Sequence, residues 1–293
     1  MKTAIVTGGL GHAGKWVTDR LAREGWRVIC VDLSHPGWQA QGKRGIEFRE
    51  GDLTERAEAL DLVGEFDPDA VVHFAAYPSP TRHPSGRVFE TNTMSTYHVL
   101  TAAGKVGAKI VFASSESTYG FPFAREKTLP ESLPITEDHP LRPEDPYGTS
   151  KVIGEEIGKM VARRYDVSVA SIRPSWIQEP GQYHCREGRD LADGAGNFWS
   201  YIDVRDVAGI VSAALESEFS GHEAFLAVAK ENYLDRPTGE AIEDFFGGVP
   251  EKCDLAGKEA AFSTAKAREM LGWEPDHSWR EAIDESVSVE LVE

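Results

Sequence analysis

The chain has 293 residues, 41% of them apolar, and a net charge of −17 from 48 acidic and 31 basic side chains. That length supports one large domain, or a domain carrying a smaller lobe, around a sizeable core. The charge argues against nucleic acid or an anionic membrane as partner, and no apolar run reaches the roughly eighteen residues needed to span a bilayer.

The opening stretch, MKTAIVTGG, has an apolar part too short for a signal peptide and runs straight into a glycine turn. It therefore reads as a first strand, and a cytoplasmic location is expected. Cys30, Cys185 and Cys253 are widely spaced with no CxxC pair, so neither a disulfide framework nor a metal site is expected. Cys30 lies in an apolar run and reads as core. Lysine is scarcer than arginine, 12 against 19; this suits a high-salt cytoplasm and suits an ordinary acidic enzyme equally.

Short β-branched runs alternate with helical patterns through the first half. Residues 4–6, 28–31, 46–48, 71–74 and 110–113 read as buried parallel strands. Between the first two lies AGKWVTDRLAREG, with apolar residues at helical spacing and Gly25 as its stop. A helix begins near Tyr147, residues 167–172 form a sixth strand, and 224–228 a seventh. Residues 174–200, rich in Gly, Pro, Trp and charge, read as loop, whereas 204–215 and 265–271 look helical. Residues 233–254 have helical spacing and no assignable chemistry.

The expected fold class is α/β, a Rossmann-type doubly wound parallel sheet with a small C-terminal substrate lobe. Residues 1–172 are expected to form the core of that sheet. Residues 173–293 are mainly lobe, with about 201–230 returning to the core.

Gly8, Gly11 and Gly14 directly follow the first strand and lead into the first helix. Such a turn needs glycine's positive φ, and a pyrophosphate approaches only where no Cβ intervenes. The helix N-terminus then offers unpaired N–H groups to the phosphates. Asp32 ends the second strand, where a carboxylate accepts both ribose hydroxyls and repels a 2′-phosphate. The cofactor expected is NAD rather than NADP. Asp52 and Leu53 follow the third strand, where adenine should lie. The small Ala75 and Ala76 follow the fourth and let the cofactor pass close to backbone.

Tyr147 and Lys151 stand at i and i+4 of a helix and share a face. A neighbouring ammonium stabilises phenolate, so Tyr147 is expected to serve as general base near neutral pH. Ser114 and Ser115 lie just past the fifth strand, at the carboxyl end where open α/β sheets bind ligands. A hydroxyl there polarises the oxygen that gains or loses its proton, a role that suits Ser115 better than Ser114.

As a set, TGGLGHAG, Asp32, GDL, HFAA, ETN at 90–92, SSESTYG and YGTSK resemble the extended short-chain dehydrogenases/reductases, the group that includes sugar epimerases and dehydratases. The likeness covers roughly residues 1–215. It implies that Ser115, Tyr147 and Lys151 are the catalytic triad and that Lys151 also bonds the nicotinamide ribose. It implies a cofactor set of Gly8, Gly11, His12, Ala13, Gly14, Asp32, Leu33, Asp52, Leu53, Phe74, Ala75, Ala76, Asn92, Ser114, Tyr147, Lys151, Pro174 and Ser175. Asn92 would be a fold-stabilising neighbour of the cofactor, with Pro174 and Ser175 near the nicotinamide. It also implies a homodimer through the helices around 92–104 and 147–164.

Nucleotide-sugar members of that group typically carry RYFN after the sixth strand, and later an arginine that meets the diphosphate. Here the first segment is Arg173-Pro174-Ser175-Trp176, and Trp199 falls where the arginine is expected. Arg186, Arg189 and Arg205 are the alternative cations. The run RPSWIQEPG and the SSES stretch are similar to uronate dehydrogenases and related NAD-dependent sugar 1-dehydrogenases. The resemblance implies oxidation of a free sugar or uronate at the anomeric carbon to a lactone, with Ser115, Glu116, Ser117, Trp176 and Arg186 as substrate contacts. The alternative is a nucleotide-sugar epimerase or dehydratase that retains its NAD. Trp176 and Trp199 fit a substrate wall or a lobe core equally well.

Overall fold

The computed structural model describes residues 1–37, 41–43, 45–187 and 190–292. Seven strands form one sheet: β1 (Thr3–Thr7), β2 (Arg27–Asp32), β3 (Ile46–Glu50), β4 (Ala70–His73), β5 (Lys109–Ala113), β6 (Val169–Pro174) and β7 (His222–Ala227). Their order across the sheet is β7-β6-β5-β4-β1-β2-β3, and every neighbouring pair is parallel. The predicted strands are all present, each within about two residues of its expected ends. Their near-continuous Val/Ile content follows from burial on both faces.

Helix α1 (Gly14–Arg23) packs on one face of the sheet with α5 (Val204–Glu216) and α7 (Ala265–Leu271), burying Trp16, Val17 and Leu21 against Val207 and Ile210. Helices α2 (Arg56–Phe66), α3 (Ser85–Lys105) and α4 (Pro146–Tyr165) cover the other, around Ile5, Val71, Leu100 and Val161. α3 and α4 can lie close because Gly104 sits under Tyr165 and Val161, where a Cβ would come within 2.6 Å of the tyrosine ring.

A second cluster gathers Tyr119, Phe121, Tyr183, Phe198, Trp199, Tyr201, Tyr233 and Phe262 beyond the carboxyl ends of β5–β7. Trp199 is fully buried there, its indole N–H donating to the Leu191 carbonyl at 2.9 Å, so it is a lobe core residue. The expected loop at 174–200 carries short elements: Ile177–Gln178 pairs in parallel with Ile202–Asp203, and Asp190 caps a single helical turn, Leu191–Gly194. Residues 233–254 contain α6 (Thr238–Phe246), stopped by Gly247 at φ +77°. Among the described residues no helix is long and apolar enough to cross a membrane, and no cluster of His, Cys, Asp and Glu could hold a metal. Cys30 is buried, its thiol pushed up to about 12 by burial.

Candidate active site

Strand order reverses about β1 and β4: β2 and β3 lie beyond β1, and β5 to β7 beyond β4. Where the two halves part, a ligand crevice opens beyond the carboxyl ends of the strands. Here the crevice is a cleft of about 1020 Å³ running from Asp32 past the glycine turn to Tyr147 and on into the lobe. Gly8 turns at φ +66°, and a Cβ there would stand 2.7 Å from the Ala75 nitrogen. A Cβ on Gly14 would stand 2.0 Å from the Gly8 carbonyl oxygen. Only Gly8 needs the positive φ; Gly14 is required by close packing. No side chain caps α1, so its first amides face the turn without a protein acceptor from a side chain.

Asp32 reaches back from the end of β2 and accepts N–H bonds from Leu10 at 3.0 Å and Leu33 at 2.8 Å. The exposed Asp52 holds its own turn through the Thr54 amide and hydroxyl at 2.9 and 2.7 Å, while Leu53 is buried beside it. Gly11, His12, Ala13, Leu33, Phe74, Ala75 and Ala76 complete this half of the wall. A glycine cradle, a carboxylate at a strand end and a small-residue wall along one crevice suit an adenine dinucleotide.

Asn92 does not line the cleft. It is buried behind the wall, accepting from the Tyr77 amide at 2.8 Å and donating to the Tyr77 carbonyl at 3.1 Å and to Ser150 at 3.3 Å. It ties the loop after β4 to α4, which corrects its expected place among residues touching cofactor.

At the far end, Asp145 caps α4 by accepting from the Tyr147 and Gly148 amides, both at 2.9 Å, and Pro146 occupies the first helical position. This fixes where Tyr147 starts. Tyr147 is partly open to the cleft, and the Ser115 hydroxyl is within hydrogen-bonding reach of its phenol. Lys151, buried one turn on, donates to the Ala113 carbonyl at 2.6 Å, and its Nζ lies 5.6 Å from the Tyr147 ring centre. Ser115 also accepts from the Ser117 amide and donates to the Ser117 hydroxyl, both at 3.1 Å.

The expected lowering of the phenol is not found within the protein itself. Burial pushes the Tyr147 phenol up to about 12, opposed by the Ser115 bond and reinforced by the carboxyls of Asp145 and Glu116. Burial pushes Lys151 down to about 7. The ammonium is directed at a backbone carbonyl rather than the phenol, and desolvation disfavours both charges.

Glu116 is buried on the cleft wall, accepting from the Ser175 hydroxyl at 2.8 Å, with Asn197 and the Trp176 amide beside it. Burial raises it to about 8 against those partners. The carboxyl therefore binds more protons folded than unfolded between pH 4.5 and about 8, so its contribution to stability is lost as pH rises through that window. Replacing Glu116 with Gln should stabilise the protein more at about pH 8.5 than at about pH 5 in urea titrations. An equal change at both pH values would contradict the assignment.

Pro174, Ser175, Trp176, Ser114 and Ser117 all line the cleft. Arg186 does not, which is a second correction. It stacks 3.8 Å over Trp279, donates to the Tyr233 carbonyl at 2.8 Å and pairs with Asp235 at 3.0 Å. Arg205 is held by Asp203 and Glu285 at 2.9 and 2.6 Å. Arg189 lies outside the described residues. Arg82, Phe123, Lys127, His184, Asn197 and Tyr233 also face the cleft; they come from segments with no motif in the sequence and are brought together only by the fold.

A family model for the NAD dependent epimerase/dehydratase family matches residues 4–227. The chain belongs to this family. It is an NAD-dependent enzyme of the extended short-chain dehydrogenase/reductase type. A UDP-glucose 4-epimerase of Lactobacillus helveticus is 28% identical over 333 aligned positions, covering 97% of this chain and 94% of the relative. Another, from Streptococcus mutans, is 35% identical over 175 positions, 58% of this chain and 50% of that protein. A solved structure called mutated uronate dehydrogenase superposes with TM-score 0.69 at 22% identity, covering 96% of this chain and 85% of the other; at that identity the likeness is one of fold. The alignment with the L. helveticus protein is longer than this 293-residue family member, so that epimerase carries stretches absent here.

Proposed function

We propose that this enzyme oxidises a free sugar or uronate at its anomeric carbon to a lactone, consuming NAD stoichiometrically. One observation carries the choice of substrate. Among the described residues, the lobe's share of the cleft wall, from Pro174 onward, contains no arginine or lysine and includes Asp193. Every described arginine from Arg173 onward is in an ion pair. A nucleoside diphosphate calls for charge-assisted donors, and the described part of this wall offers no arginine or lysine, whereas a sugar needs only hydroxyl partners such as Ser117, Glu116 and Asn197.

The turn from Gly8 to Gly14 would hold the pyrophosphate, Asp32 the adenosine ribose, Leu53 the adenine, and Lys151 the nicotinamide ribose. Bound NAD supplies the hydride acceptor and a positive ring. Tyr147 takes the proton from the anomeric hydroxyl while Ser115 holds the same oxygen. Asp32→Ser should narrow the preference for NAD over NADP by about a hundredfold, the scale of relieving like-charge repulsion. Michaelis constants for the two cofactors measure it, and an unchanged ratio would remove Asp32 from this role.

A second reading, a nucleotide-sugar epimerase that regenerates its NAD, is favoured by the full-length relatives, which carry that name. Under it, Arg82 and Lys127 at the cleft mouth would meet the diphosphate. NADH absorbance with glucose, galactose, arabinose, xylose, glucuronate and galacturonate separates the two. Turnover well beyond one per enzyme on any of them supports the first. No NADH, together with interconversion of UDP-glucose and UDP-galactose, supports the second. A homodimer through α3 is also proposed, supported by the exposed Phe89, Met94 and Tyr97 on that helix; a monomer in sedimentation would refute it.

A further inference from the structure

Tyr147, Lys151 and Glu155 stand at i, i+4 and i+8 of α4, one stripe on the face turned to β5. Three consecutive residues at the end of β5 meet them. Ala113 accepts from Lys151 at 2.6 Å, Ser114 donates to Glu155 at 2.6 Å, and the Ser115 hydroxyl lies within reach of the Tyr147 phenol. Two of these links belong to the triad and one does not. Glu155 is 1% exposed, and Arg173 of β6, 4% exposed, grips it through one side of its guanidinium, Nε to Oε1 at 2.8 Å and Nη2 to Oε2 at 2.7 Å. The other arm of Arg173 donates to the Tyr119 hydroxyl at 2.8 Å and the Glu137 carbonyl at 3.0 Å.

The loop carrying Ser115 is therefore held at both ends by one buried ion pair, at Ser114 through Glu155 and at Tyr119 through Arg173. The same glutamate rides on the helix that carries the base. Burial opposes the Glu155 charge, and Arg173 with Ser114 outweighs it, keeping the carboxyl below its usual range. A buried pair of this kind contributes little net stability compared with apolar residues of similar size. Stability alone gives no reason for it here.

We propose that Glu155 and Arg173 are positioning residues that set the Ser115 hydroxyl in register with the Tyr147 phenol. The proposal rests on the triad assignment. Neither side chain lines the cleft, so each acts through Ser115.

The test is a mutant cycle on the whole enzyme. The variants are the apolar pair Glu155→Leu with Arg173→Met, Ser115→Ala, and their combination. They are assayed with the sugar that reduces NAD fastest in the panel above, or with UDP-galactose if none does. The pair should lose about a hundredfold in kcat, the cost of misplacing a reacting group by roughly 1 Å, with NAD affinity and melting temperature unchanged. On the Ser115→Ala background the additional loss should vanish, because the positioned hydroxyl is gone. A loss that multiplies with that of Ser115→Ala, a parallel loss of NAD affinity, or full kcat in the pair would overturn the positioning role. Should the pair fail to fold, Ser114→Ala removes only the hydroxyl link to Glu155, and the same cycle decides on it. A wild-type rate in Ser115→Ala alone would instead overturn the triad assignment.

Discussion

Replacing Tyr147 with Phe should lower turnover by about a hundredfold to ten-thousandfold, the range of general acid–base help, while the protein still binds NAD. The ring would keep its edge contact with Phe123, 6.3 Å between centroids, and its place one turn before Lys151. Only the phenol oxygen is lost. Burial holds that phenol up at about 12 within the protein, so phenolate is scarce near neutral pH and grows as pH rises. Turnover by the wild-type enzyme should accordingly climb from neutral into alkaline pH if it oxidises a sugar as proposed, and the residual rate of Tyr147→Phe should not. Initial rates across pH, with NAD binding followed separately, check both. A kcat that survives the substitution would mean that another group takes the proton.

Lys151→Met should be as damaging to turnover and should differ in two other readouts. Methionine keeps the length and apolar body of lysine but cannot donate to Ala113, nor to the ribose it would hold, so NAD affinity should fall about tenfold or more, the scale of a charge-assisted hydrogen bond. Stability should move the other way. Lys151 is buried, and that burial lowers it to about 7 from 10.5. Between those values the unfolded chain binds the extra proton, so wild-type stability rises with pH across the window. Below about pH 7 the cost of burying the ammonium is fully present. Lys151→Met should therefore be more stable than wild type below pH 7, by a margin that shrinks toward pH 10.5. Urea midpoints at several pH values measure this. A margin that does not vary with pH would mean that the amine is not desolvated as described.

The sheet and the dinucleotide half of the cleft were legible because they rest on local signals. β-branched runs mark strands buried on both faces, the glycine turn lies between a strand and a helix, and Asp32 and the Tyr147–Lys151 spacing are read along the chain. The substrate half was not. Arg186 looked available in a loop rich in charge, yet it stacks on Trp279 nearly a hundred residues away and pairs with Asp235. Lys127 and Asn197 face the cleft from loops about seventy residues apart, and nothing local in either loop signals it. The direction of the Tyr147 shift was misjudged for a related reason. Sequence spacing shows that an amine lies near, whereas desolvation and the amine's aim at Ala113 depend on the assembled fold.

In the proposed reaction hydride leaves the anomeric carbon for NAD. The most direct measurement compares the best sugar of the panel with the same sugar carrying deuterium at C1. The proposed reaction should place deuterium in the reduced nicotinamide and form one reduced cofactor for each lactone. Unlabelled NADH with the deuterium kept in the sugar would contradict it, as would UDP-sugar interconversion without any accumulation of NADH.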